Sequence, residues 1–130
     1  MKEKALFEVG QAESLLSHWR VLPGLQVKEL VTHLVKALNN VSSFVLNDQS
    51  SIIERDYLLL SNVRLFSDVN VEHGFYDSYY FLMNLLRKEI HRVDEAVVKV
   101  SGPKMVFNAD RAYFEGLIND VKGVVNSAFE

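Results

Sequence analysis

Cysteine is absent from this chain of 130 residues. That excludes disulfides, thiolate metal sites and cysteine nucleophiles together. A chain without cysteine suits a reduced compartment, and the expected location is cytoplasmic. Proline occurs twice, as Pro23 and Pro103, each at a break in the apolar pattern. No apolar run approaches the roughly 18 residues that a bilayer span requires, so no membrane is expected among the partners. The first residues, MKEKALFEVGQAE, meet acids too early for a secretory signal.

Signatures of chemistry are equally scarce. The glycines are scattered, and none builds a Walker loop or a dinucleotide fingerprint. Bundles that hold paired metals use Glu-x-x-His. The residues three before His18, His33, His73 and His91 are Leu15, Leu30, Asn70 and Lys88, so that spacing is missing. Neither His-Glu-x-x-His nor a Gly-x-Ser-x-Gly elbow occurs. The expectation is no metal, no cofactor and, as the leading reading, no enzyme. His33 reads as a surface residue on the wet face of its helix, and His73 as a loop residue.

Fourteen Lys and Arg against seventeen Asp and Glu leave a net charge of −3. A mildly acidic chain has no general pull toward nucleic acid and would need a local basic patch to bind it. The length suits one domain, residues 1–130, with a core that needs no staples. No internal repeat or low-complexity segment interrupts it.

What the chain has in quantity is apolar residues at helical spacing. Ala5, Val9, Ala12, Leu16 and Trp19 form one stripe, which predicts a helix over about Lys2 to Trp19. Leu22-Pro23-Gly24 ends it, and the short link predicts an antiparallel return. Val27, Leu30, Val31, Leu34, Leu38, Val41 and Val45 predict a second helix over roughly Leu25 to Leu46. After the polar break Asn47 to Ser50, Ser51 and Glu54 have capping-box spacing before a third helix to about Ser67. Asp68 to Gly74 reads as a loop. The central helix follows, from Phe75 to about Asp94. Val97 to Val100 and Met105 to Phe107 alternate on either side of Ser101-Gly102-Pro103-Lys104, the pattern of a β-hairpin. Asn108 is the expected cap of a last helix, Ala109 to about Ala128, with its stripe from Phe114 to Val125. The predicted fold is mostly α: an antiparallel bundle of about five helices with a small hairpin before the last one.

The central helix carries both candidate sites. Tyr79, Leu82, Met83, Leu86, Ile90 and Val93 fill one face, yet Phe81 and Leu85 point away from it and Phe75, Tyr76 and Tyr80 widen it. A helix apolar nearly all round is central to a bundle or shared with a partner. Phe75, Tyr76, Tyr80, Phe81 and Leu85 are therefore the expected interface, for a homodimer or a protein partner. Aromatic rings also stack bases, but no basic residue interleaves with them from Phe75 to Leu86. Arg87 and His91, four apart on the polar side, are the candidate catalytic pair: arginine to hold a phosphate, histidine to move a proton. The plainer reading of that pair is a solvated helix face.

An antiparallel bundle with a long central helix bearing Arg87 and His91, and a hairpin before an amphipathic last helix, resembles the higher eukaryote and prokaryote nucleotide-binding (HEPN) superfamily. Small archaeal members are the most similar in outline. The resemblance covers most of the chain and implies a helical bundle, a habit of dimerisation and, in the nucleases of the family, metal-independent RNA cleavage by Arg and His. Those nucleases place four to six residues between the two; Arg87-Lys88-Glu89-Ile90-His91 has three. Self-association or partner binding is thus the leading expectation, a HEPN-type ribonuclease or nucleotide-binding protein the alternative.

Overall fold

The computed structural model describes residues 2–46 and 68–129. The helix expected over 52–67, with its capping box, lies outside them. Among the described residues four α-helices and three strands follow one another: α1 Lys2–Leu16, α2 Gly24–Leu46, α3 Val69–Leu86, β1 Glu89–Arg92, β2 Val97–Ser101, β3 Val106–Asp110 and α4 Arg111–Ala128.

The first two helices form as their periodicity requires. Ala5, Val9, Ala12 and Leu16 of α1 are buried, and so are Val27, Leu30, Val31, Leu34, Leu38 and Val41 of α2. Glu8 meets His33, while Lys4 lines the same depression as Asn40, so the helices run antiparallel. His33 is not the ordinary surface residue its helix face suggests. Its Nδ1 lies 2.6 Å from Glu8 Oε2, and both side chains are mostly buried. A short 3₁₀ turn, Trp19–Val21, bends the chain toward α2, where the amides of Gln26 and Val27 donate to the Pro23 carbonyl. Gly24 is needed for more than the turn. A β-carbon there would stand 2.0 Å from the Ile90 carbonyl oxygen, because β1 runs directly against the start of α2.

The central helix begins and ends earlier than its sequence pattern suggests. Asp68, expected in a loop, caps α3 by accepting the Asn70 amide at 2.8 Å, so 69–74 are helical. At the other end Arg87 is the cap, and Glu89–Arg92 are strand rather than helix. Ile90 and Val93 fit the helical stripe, but alternation fits Glu89 to Arg92 as well. Pairing with β2 decides between them. The expected hairpin is accordingly a three-stranded antiparallel sheet in the order β1-β2-β3. Ile90, Val100 and Phe107 form one cross-strand row, and His91, Lys99 and Asn108 form the next on the opposite face. Buried Ile90, Val98, Val100 and Ala109 turn the first of these faces to the bundle. Asn108 is therefore a strand residue, and the cap of α4 is Asp110, which accepts the Tyr113 amide at 3.0 Å.

The last helix closes the core with Phe114, Ile118, Val121, Val124 and Val125. It packs against α1, α2 and α3. Phe81 lies by Tyr113, Asp77 shares a depression with Leu117 and Asp120, and Asn70 shares one with Ser127. The order of these contacts makes α3 and α4 antiparallel. No described helix is long and apolar enough to cross a membrane.

Candidate interaction groove

The helical period divides the residues of α3 in a way their composition does not. Phe75 and Leu85, both expected at an interface, are 0% and 2% exposed and belong to the core. Their burial follows from neighbours on two sides, since α3 packs on both α2 and α4. Phe75 stacks on Tyr79 with centroids 6.1 Å apart and meets the edge of Tyr76 at 5.3 Å. Tyr76 is half-buried. Burial, with the nearby Glu72 carboxylate adding to it, pushes its phenol up to about 12, so the ring stays neutral. Tyr80 and Phe81 are the two candidates left at the surface, 55% and 44% exposed.

Beside them runs a groove of about 470 Å³ between α3 and β3, its walls mainly apolar. Phe81 and Leu85 form one side, Met105 and Phe107 the other, Tyr113 from the first turn of α4 the end, and Lys88 one polar corner. Strand alternation puts Met105 and Phe107 on the same face. The Asp110 cap holds the first turn of α4 so that Tyr113 reaches between them and α3. The Tyr113 ring lies 5.7 Å from Phe107 and 6.4 Å from Phe81, and burial raises its pKa. It also meets Phe114 edge-on at 5.1 Å, and Phe114 lies 5.3 Å from Trp19. Thus the groove floor is one end of a chain of rings reaching the 3₁₀ turn. Asn84 uses its amide on the Tyr80 carbonyl, 2.9 Å away. No acid faces a base in this groove; it offers shape and apolar area, with one ammonium at its edge.

The candidate catalytic pair has a different placement. Arg87 caps α3, whereas His91 lies on the solvent face of β1, across from Lys99 and 3.4 Å from Glu89 Oε2. The pair does not share a helix face, because the helix ends between them. Met105, Phe107 and Tyr113 are groove residues that the sequence reading did not single out. The period-two pattern of Met105 and Phe107 was the available signal, whereas nothing in the sequence joins Tyr113 to them. Among the described residues no three His, Cys, Asp or Glu side chains group as a metal site would need.

A second depression, around Trp19 and the start of α4, sets His18, Arg20 and Arg111 among Glu95, Asp110 and Glu115. Its charges are mixed and nearly balanced. Comparison with family models, curated proteins and solved structures finds no match to the chain.

Proposed function

We propose that this chain is a non-catalytic, cytoplasmic protein-binding module that self-associates through the side of the bundle where α3 meets β3. The observation that supports this reading is the cluster of large apolar side chains left at the surface there. Tyr80 and Phe81 stand on one side, 55% and 44% exposed, and Met105, 57% exposed, stands with Phe107 on the other. A scattered apolar residue needs no explanation, but several around one groove mark an interaction site. Kinship with the HEPN bundles belongs to the same proposal. It is supported by the antiparallel helix pairs and by the β element ahead of the last helix.

Sedimentation velocity on the full chain tests the proposal. The wild type is expected as a dimer, and Phe81→Asp as a folded monomer with an unchanged helical circular dichroism spectrum. A Phe81→Asp protein with the wild-type mass would refute the role of this face. The ribonuclease alternative makes the opposite demand. Single-stranded RNA must be cleaved by the wild type and by neither Arg87→Ala nor His91→Ala.

A further inference from the structure

Strand β3 is the edge of the sheet, with β2 on one side. Its backbone polarity follows from one hydrogen bond. The Gly102 amide donates to the Met105 carbonyl at 2.8 Å. In an antiparallel pair, residues alternate between exchanging bonds and not exchanging them. With Ser101 opposite Val106 and Val100 opposite Phe107, Met105, Phe107 and Ala109 aim their backbone groups at β2. Val106 and Asn108 aim theirs outward, and among the described residues no further strand or backbone bond meets them there. An open edge bearing apolar side chains and no proline is a template for another strand, a hazard that folded proteins usually blunt.

The sequence of this edge matches itself. Lys104-Met105-Val106-Phe107-Asn108-Ala109-Asp110 has a base at one end and an acid at the other. When such a strand is set antiparallel to its own copy with Phe107 at the centre, Lys104 of each copy stands opposite Asp110 of the other. Met105 meets Ala109, and Val106 meets Asn108. The hydrogen-bond phase agrees with this register. Val106 and Asn108 are outward-pointing residues, so they form the bonded pairs, and Phe107 falls at a non-bonded pair, where side chains approach most closely. Asp110 uses Oδ1 to cap α4 and retains its second oxygen for a lysine.

We infer that the occupant of this edge is a second copy of the chain, joined β3 to β3 about a two-fold axis perpendicular to the sheet. The inference rests on the self-association proposed above and adds its geometry. Two three-stranded sheets become one of six strands with all helices on the same side, so the two α3–β3 grooves face each other across the axis. The interface is isologous, so pairing through β3 closes at two copies. Main-chain bonds supply the pairing, and the alternating side chains supply the register.

The test uses the full chain in sedimentation equilibrium. Asn108→Pro removes an outward amide and no ladder bond to β2. Edge strands accept proline, so the fold should survive. The change deletes two bonds per dimer and is expected to weaken dimerisation about tenfold or more. Lys104→Glu sets like charges at both ends and should weaken the dimer at low salt, with the loss shrinking as salt rises. In this cysteine-free chain Phe107→Cys should form a disulfide between copies under mild oxidation, whereas Lys99→Cys on β2 should not. A dimer that Asn108→Pro and Lys104→Glu leave intact, or one in which the two cysteine variants cross-link alike, would overturn the β3 geometry and leave self-association standing. A wild-type chain that stays monomeric would overturn both.

Discussion

The guanidinium carbon of Arg92 lies 4.3 Å from the centroid of the Trp19 ring, and the same guanidinium donates to the carbonyls of Trp19 and Leu22. The indole answers by donating Nε1 to the Ala96 carbonyl at 2.9 Å. Strand β1 and the turn before α2 therefore hold one another by both backbone and side chain. Burial lowers the Arg92 pKa while Asp94 opposes the change, and an arginine remains charged at any physiological pH. Replacing Arg92 by Ala should cost about 1.5–3 kcal/mol, the range for hydrogen bonds from a charged donor. Lysine should recover little of this, because it lacks the planar fork that reaches two carbonyls while lying over a ring. Urea unfolding followed by the fluorescence of Trp19, the chain's one tryptophan, measures both. An unchanged midpoint in Arg92→Ala would show that the latch contributes nothing.

Gly24 offers a case in which two rules disagree in sign. Helix propensity favours Ala over Gly by about 1 kcal/mol in a helix interior. Contact with Ile90 opposes it, since a new β-carbon would sit 2.0 Å from a backbone oxygen that belongs to a paired strand. Overpacking costs about 1–3 kcal/mol and sometimes more. At the first residue of α2 the propensity gain is small, so the clash should win. Gly24→Ala is expected to lower the melting temperature; a rise would mean that β1 moves away freely.

Truncations on α3 separate its core from its surface. Phe75→Ala removes a fully buried ring and should destabilise by about 3–5 kcal/mol. Phe81→Ala removes a side chain that is 44% exposed and should cost about 1 kcal/mol or less in the isolated chain. Chemical denaturation at a concentration low enough to dissociate any dimer provides the comparison. Equal losses at the two positions would contradict the division of α3 described above.

Asp94 gives the β1–β2 turn its dependence on acid. Its carboxylate accepts the amides of Val97 and Ala96, which hold its pKa below the ordinary aspartate value, with Arg92 adding a smaller contribution. Above the unfolded value of about 3.9 the carboxylate is charged in both states, and its stabilisation is fully present. As the pH falls from there through the lowered folded value, the unfolded chain takes up the proton first and the stabilisation is lost. Carboxyl titration by NMR should find Asp94 below the ordinary aspartate value. Asp94→Asn should flatten the acid side of the stability profile, and an ordinary titration would remove the claim.

The parts of this fold that could be read from the sequence are those governed by one period along one element. The buried stripes of α1, α2 and α4 lie on the residues their spacing names, from Ala5 through Val41 and from Phe114 to Val125. The stretch from Glu89 to Arg92 could not be settled that way, because Ile90 satisfies a helix and a strand equally. The deciding partner, Val100, lies beyond a turn. Asp68 and Asp110 look like loop and helix-interior residues until the amides they accept are seen. On α3 the excess of apolar residues was legible, but not its distribution. Which rings face inward depends on α2 and α4 together, and two of the five expected interface residues, Phe75 and Leu85, are core. Met105 and Phe107 join the groove for a reason no local pattern carries, the placement of an edge strand beside α3.

The latch between the 3₁₀ turn and β1 also bears on the order in which the molecule assembles. Arg92 and Leu22 are separated by 70 positions and Trp19 and Ala96 by 77, whereas the α1–α2 and α3–α4 pairs are closed over shorter or broader contacts. Bringing such distant positions together carries a loop-closure cost that grows with the logarithm of the separation. The helix pairs should therefore be docked in the transition state while the latch is still open. Its loss would then act almost wholly on the escape rate: Arg92→Ala should unfold faster and refold at nearly the parental speed. Such a latch would work as a late-closing clasp, governing how long the native state lasts more than how quickly it is reached.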